Sequence, residues 1–335
     1  MEILTVDRTD DALLASLHAV VERSDAASRI EPDRRTVREF VRDMRFSFPG
    51  EHDEAAVALV DGRPAGMVRI WFPDRDNLDK SWCMLKVDPD HRARGVGSAL
   101  VRWMEDSARA QDRKVLLAEV FVPVGQREDH PAGRFALDRG YTVSSIDIVR
   151  RLTLPVDEDV LAGHETRSRA AMGDAYEISV HVDGVPEELR QGVCDASNRL
   201  ILDAPTGDVE FEPESMTPQD YETRLGFLRD IGVTKLTAVA VHRATGTVAA
   251  YTDLCLPPGD PDVVDQWGTL VLPEHRGHRL GMAVKVANLR ALAAHDPRRA
   301  HVRTMNDEQN PWMVQINKDL GFQVVEEALA LKKDL

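Results

Sequence analysis

One stretch of this chain is written nearly twice. Residues 85–98 read LKVDPDHRARGVGS and residues 270–281 read LVLPEHRGHRLG, with Pro89 and Pro273, Arg92 and Arg276, and Gly97 and Gly281 each 184 positions apart. Both copies run from a hydrophobic strand through a Pro-bearing turn and a basic, Gly-rich bend into a helix of apolar period. Such a bend turns several backbone N–H groups and a helix N-terminus toward one point, an arrangement suited to phosphate oxygens. The repetition therefore predicts two α/β domains in tandem, each presenting one anion-gripping bend.

The flanking patterns repeat in the same order. In the first half, a strand over 2–6, helices near 9–21 and 34–44, and a hairpin of 55–60 and 65–72 about Asp61-Gly62 precede the strand 81–87. A helix over 95–110, a strand 115–122, a short helix 132–139 and a last strand 141–152 follow. The second half repeats this with a strand 176–182, helices near 187–199 and 218–230, and a hairpin of 236–242 and 247–254. The strand 265–271, a helix carrying Met282, Val286 and Leu289 on one face, a strand 301–305, a helix 312–320 and a strand 322–331 complete it. The polar, Gly/Ala-rich run over 155–174 reads as the joint, giving domains at 1–156 and 175–335 and a linker at 157–174. Residues 205–218, rich in Asp, Glu and Pro, read as a substrate-side loop of the second domain.

Charge narrows the partners. With 57 acidic against 42 basic residues the net charge is −15, which opposes the counterion release that drives general nucleic-acid binding. Against that background 91–94 and 275–279 stand out as local cationic islands, and the acidic remainder hints at a cationic substrate. No run approaches the roughly 18 apolar residues of a membrane span. The opening residues lack a basic region before an apolar stretch, so a cytoplasmic protein with neither secretory signal nor membrane association is expected. Cys83, Cys194 and Cys255 are isolated and suit reduced thiols. The histidines show no HExxH or Cys/His pairing, so no catalytic metal is expected.

The bends can be read residue by residue. Gly95, Gly97 and Gly281 lack a Cβ, which admits close approach to the backbone and unusual dihedrals. Arg92, Arg94, Arg276 and Arg279 supply forked donors to neutralise a diphosphate. Glu119, a carboxylate in a mostly apolar strand, is a candidate base. Asn306 and Asn310 are candidates to bridge a ligand arm or to cap a helix.

With these residues in place the chain resembles the GCN5-related N-acetyltransferase superfamily, and in tandem form the mycothiol synthase type. The bend signature is Gln/Arg-x-x-Gly-x-Gly/Ala. Arg92, Ala93, Arg94, Gly95, Val96 and Gly97 match it throughout, and Arg276, Gly277, His278, Arg279, Leu280 and Gly281 depart once, at Arg279. The closing residues Asn310, Met313 and Leu320-Gly321-Phe322 add to the likeness, with Arg139-Gly140-Tyr141 as their first-half counterpart. The resemblance implies two mixed, mostly antiparallel sheets flanked by helices, and acetyl-CoA as co-substrate, its pyrophosphate held by amides of the bends, Ser98 included. It also implies an oxyanion-facing backbone N–H near Val87 or Val271. A base six residues before that valine falls on Asp265 in the second half and on Ser81 in the first, which favours the second domain as catalytic. The tyrosine that protonates the departing thiolate falls on Asn317 and Ala136, so that route is absent from both halves.

The expected activity is transfer of an acetyl group to a primary amine of a small molecule by a monomer or homodimer. The competing expectation is an acyl-CoA-binding regulator or scaffold in which one or both halves are inactive.

Overall fold

The computed structural model describes residues 1–127 and 129–335. These form two compact units, one of residues 1–148, 206–212 and 325–335, the other of 149–205 and 213–324. Each is a mixed, mostly antiparallel sheet flanked by helices, as the repeated pattern predicts.

The first unit opens with β1 (Glu2–Thr5), α1 (Asp11–Ala26) and α2 (Val37–Met44). Asp10 caps α1, and a reciprocal Thr36–Glu39 box caps α2. The hairpin β2 (Glu51–Val60) and β3 (Arg63–Pro73) leads to β4 (Lys80–Val87), then α3 (Val96–Ala110), β5 (Val115–Pro123), α4 (Pro131–Leu137) and the first residues of β6 (Thr142–Thr153). Leu100 and Met104 of α3 close over Val68, Ile70 and Phe72 of β3 and Leu116 of β5, forming one core layer. Leu14 and Leu17 of α1 pack with Phe40, Val57 and Met67 in a second.

The second unit holds α5 (Glu158–Met172), β7 (Tyr176–Val182), α6 (Glu187–Asp203), α7 (Pro218–Asp230), β8 (Thr234–His242) and β9 (Val248–Leu256). After these come β10 (Val263–Val271), α8 (Leu280–His295), β11 (His301–Asp307) and α9 (Pro311–Leu320). Its core sets Met282, Val286 and Leu289 of α8 against Leu236, Leu254, Val264 and Val302.

Composition places the joint wrongly in two respects. Within 157–174 the chain forms α5 (Glu158–Met172) rather than an open linker: Asp157 caps it, Leu161, His164 and Ser168 are buried, and Glu158 and Glu165 pair with Arg290 of α8. An Ala-rich polar run satisfies a surface helix as well as it does a linker. More consequentially, the last strand, β12 (Gln323–Asp334), pairs antiparallel with β5 over Glu326↔Pro123 to Asp334↔Val115. Residues 325–335 thus complete the first unit, as do residues 206–212, where the backbone of Asn77 donates to Glu212 and Trp82 stacks on Phe211. The loop expected on the substrate side of the second domain is, over those residues, part of the first. Local patterning identifies a strand without revealing its partner.

Both sheets part within one row of the same place. Parallel pairing of β4 with β5 stops at Cys83↔Ala118, and that of β10 with β11 stops at Asp265↔Arg303. Beyond those rows the strands carry no mutual ladder, leaving a wedge that each bend overhangs.

Candidate functional site

The wedge exposes a particular amide in each unit. Asp88 N donates to Ala65 O at 3.0 Å, and Leu272 N donates to Ala249 O at 2.9 Å. Alternation along an antiparallel pair then turns the N–H and C=O of Val87 and of Val271 away from the neighbouring strand, toward the wedge. Both carbonyls are taken, by Arg92 Nε and by Arg276 Nε, each at 3.3 Å, while the two N–H groups remain turned to the opening.

The bends share a backbone but place glycine differently. Positive φ falls at Ala93 (58°) and Gly95 (86°) in the first, and at Gly277 (86°) and Arg279 (56°) in the second. One left-handed position in each copy is therefore held by a residue with a Cβ, at a cost of about 1–2 kcal/mol. Replacing Arg279 with glycine is expected to stabilise the second unit by about 1 kcal/mol, read as a higher urea midpoint; an unchanged or lower midpoint would show that the arginine carries no strain. Gly97 and Gly281 serve another purpose than that read from sequence. They are buried helical residues, and a Cβ on them would lie 2.9 Å from Phe135 Cζ and 3.2 Å from Ile316 Cδ1. They let α4 and α9 pack close to the bends, while Gly95 faces open space.

Neither α3 nor α8 has a side-chain cap at its N-terminus, so the first-turn amides of Val96, Gly97 and Ser98, and of Leu280, Gly281 and Met282, are not satisfied by a capping side chain. The arginines divide in role. Arg92 donates to Ser24 O at 3.1 Å and Ser28 Oγ at 2.9 Å, tying its bend to α1, and Arg276 pairs with Asp203 at 3.2 Å. Arg94 and Arg279 are exposed and free to meet an anion. Sequence reading placed Arg139 only among the closing residues and missed that it donates to Ser98 Oγ at 2.6 Å and stacks 3.6 Å from the Phe135 ring. That arginine adds a cation beside the first turn of α3, and only the fold brings it there.

The bends are also braced differently. In the first, Asp88 accepts from Asp90 N at 3.0 Å and from Arg23 Nε at 3.1 Å. Burial opposes its charge, but these bonds hold its carboxyl below the usual range. In the second, Leu272 replaces that aspartate, and Tyr176 of β7 donates or accepts at His275 Nδ1 (3.0 Å) with His278 5.3 Å away ring to ring. Asn310 caps α9, its side chain accepting from Met313 N at 3.1 Å.

The two candidate bases fare unequally. Asp265 Oδ1 accepts from Arg303 Nε (3.0 Å) and Nη2 (2.8 Å), an ion pair that favours the carboxylate and weakens it as a base. Counting six residues back from Val271 also misleads: a bulge between Gln266 and Thr269 adds a residue to β10. By its pairing with β9, set against that of β4 with β3, Asp265 therefore matches Trp82 rather than Ser81. Glu119 stands one residue past the last paired row of β5, at the mouth of the wedge. Desolvation raises its carboxyl above the ordinary range, offset by Arg29 and Lys86 and reinforced by Asp33, although the side chain still reaches solvent. The strand register that aligns the units puts Met305 at that place in β11.

The second wedge holds a different group. Lys285 of α8 is buried at 2% exposure, and burial alone lowers its amine from 10.5 to about 7. The unfolded chain binds that proton more tightly, so the residue destabilises the fold increasingly as pH falls from about 10 to about 7. Lys285→Met is expected to stabilise the second unit, with a gain growing by roughly 1.4 kcal/mol per pH unit across that window. Denaturant unfolding at both ends of the window checks it; a pH-independent gain would refute the lowered value. The three cysteines are unpaired with one another, and burial pushes the Cys83 thiol up to about 12. Among the described residues no His/Cys/Asp/Glu group is arranged to hold a metal ion, and no helix is long and apolar enough to cross a membrane.

Comparison with known proteins agrees with this geometry. Residues 20–131 match the acetyltransferase (GNAT) family. No curated protein matches the sequence. Among solved structures, a tandem GNAT protein from the clavulanic acid biosynthesis pathway is 26% identical, with a TM-score of 0.74 over 99% of this chain and 98% of that one. A GCN5-related N-acetyltransferase from Sphaerobacter thermophilus is 16% identical with a TM-score of 0.63, over 99% of this chain and 95% of its own. A GCN5-related glucosamine N-acetyltransferase region of a fungal multi-domain β-N-acetylglucosaminidase aligns at 13% identity and a TM-score of 0.65, over 99% of this chain and 38% of that one. With the duplicated bends, the paired wedges and the match over residues 20–131, the chain carries a GNAT-family acetyltransferase domain within a tandem GNAT fold.

Proposed function

We propose that this protein is an acetyl-CoA-dependent N-acetyltransferase acting on a primary amine of a small molecule, and that the first unit performs the chemistry. The observation that carries this reading is the placement of Glu119. A carboxyl of raised basicity stands at the mouth of a wedge whose far side offers the Val87 N–H and whose rim is the uncapped N-terminus of α3. In this reading the amides of Val96, Gly97 and Ser98, with Arg94 and Arg139, hold the diphosphate. Glu119 takes a proton from the substrate ammonium, and the neutral nitrogen attacks the thioester carbonyl. The oxyanion that forms faces the Val87 N–H, the C–S bond breaks, and CoA leaves as its thiol while the amide nitrogen loses its second proton. Asp33 beside Glu119 and the −15 net charge favour a cationic acceptor.

A second reading applies to the second unit alone, as a holder of acyl-CoA without turnover. Asp265 is ion-paired to Arg303, and Met305 stands where the first unit has Glu119. Calorimetry with acetyl-CoA, followed by a thiol-release screen across small amines and polyamines, tests both. Two binding events with release for at least one amine are expected; release for none would leave binding alone and overturn the enzymatic reading.

A further inference from the structure

Three positions that are apolar in the first unit are polar in the second. Val101 of α3, Ala136 of α4 and Val120 of β5 are matched, by the 184-residue spacing, by distance to the closing glycine and by strand pairing, with Lys285, Asn317 and Asn306. The three form one chain. Lys285 Nζ donates to Asn317 Oδ1 at 2.9 Å, and Asn317 Nδ2 donates to Asn306 Oδ1 at 2.9 Å, on β11 beyond its last residue paired with β10. Lys285 and Asn317 are buried at 2% and 0% exposure. The first unit shows that the fold does not require polarity at these places, so retention of a costly buried amine points to a function.

The charged groups of the surrounding elements are engaged elsewhere. Glu158 and Glu165 of α5 pair with Arg290, and His164 meets Asp319 O. Lys235 and Asp253 of β8 and β9 pair with each other, as do Asp265 and Arg303. Arg150 of β6 bonds Glu308 and Asn306, Asp307 accepts from Gln309 N at Oδ1 while its Oδ2 is buried without a hydrogen-bond partner among the described residues, and Asp319 of α9 accepts from Gln315. The ring of Phe322 lies 5.6 Å from Nζ. Among the described residues Lys285 thus has no carboxylate partner. It lies five residues into α8, about 8 Å along the axis from the bend, close enough for a multiply charged anion there to act through a poorly polar interior.

We propose that Lys285 is the proton-accepting counter-charge for an acyl-CoA in the second unit, so that the ligand enters that wedge together with a proton from solvent. This rests on the acyl-CoA-holding reading of that unit. Lysine is neutral in a share of empty molecules near pH 7 and becomes an ammonium, held by Asn317, once the diphosphate occupies the bend. Occupancy of the second unit is then favoured as pH falls through that region.

Calorimetry of CoA binding to the full chain, in two buffers of unlike ionisation enthalpy at pH 7.5, tests the coupling. Wild type is expected to take up roughly three quarters of a proton more than Lys285→Met; the titration of CoA itself cancels between them. Asn317→Asp, which supplies a fixed counter-charge and keeps the lysine protonated, is expected to lose the same uptake and covers the case in which Lys285→Met fails to fold. Equal uptake in wild type and either folded variant overturns the proposal. A stoichiometry of one per chain that disruption of the first bend abolishes would instead overturn the acyl-CoA reading of the second unit, and the proposal with it.

Discussion

Glu119→Gln is expected to lower kcat by about 10²- to 10⁴-fold, the range typical of removing a positioned general base, while leaving acetyl-CoA affinity within a factor of a few. Glutamine keeps the shape of the side chain and its place one residue past the Cys83↔Ala118 row, so the wedge and the bend stay intact. Wild-type activity should rise with pH along a limb placed above the ordinary carboxylate range, because desolvation raises the Glu119 carboxyl and works against Arg29 and Lys86, which favour its ionised form. That limb should vanish in the glutamine variant. An equal fall in affinity and turnover, or a retained limb, would remove Glu119 from the reaction. Asp265→Asn serves as the contrast. With its carboxylate committed to Arg303, its loss should lower the stability of the second unit far more than turnover.

Removing residues 325–335 should unfold the first unit, although that deletion is more than 170 residues from its main body in sequence. The segment supplies the whole antiparallel partner of β5, from Glu326↔Pro123 to Asp334↔Val115. Leu329 and Leu331, each 1% exposed, sit in the core with Leu100 and Leu116. Burying two leucines contributes about 1.5–3 kcal/mol apiece. Their loss comes with that of the strand ladder and of the pairs Glu326–Arg29 at 2.8 Å, Glu327–Arg127 at 2.9 Å and Lys333–Glu105 at 2.5 Å. Together these approach or exceed the roughly 5–15 kcal/mol that holds a domain folded. Loss of a cooperative thermal transition assigned to the first unit, with the second retained, is the expected readout; a truncated chain melting in two steps like the parent would show that β12 is dispensable. For the same reason a fragment ending at residue 156 should not fold alone.

Much of this architecture was legible in the sequence because it depends on local pattern. Turn signals such as Asp61-Gly62 and apolar faces such as Met282, Val286 and Leu289 specify the elements, with ends up to five residues off as at α1, β2 and α6, and duplication specifies their order. What escaped is non-local. The bulge at Gln266–Thr269 moves Asp265 to another register, and nothing in GTL or DQW announces it. The pairing of β12 with β5 depends on which edge is free, which one strand's pattern does not encode. The arginines of the bends looked alike, yet Arg92 and Arg276 turn back to brace the strand ends while Arg139, outside the motif, reaches Ser98. Lys285 drew no notice because a lysine on a helix reads as surface until neighbouring helices cover it.

The route of the chain also sets a schedule for synthesis. Residues 325–335 are translated after every residue of the second unit, so a growing polypeptide exposes β5 as an unpaired edge for most of its time on the ribosome. The N-terminal unit cannot mature first, as vectorial folding would ordinarily have it. A stalled or prematurely terminated product carries an incomplete first unit, and its open strand edge marks it for chaperones and proteases.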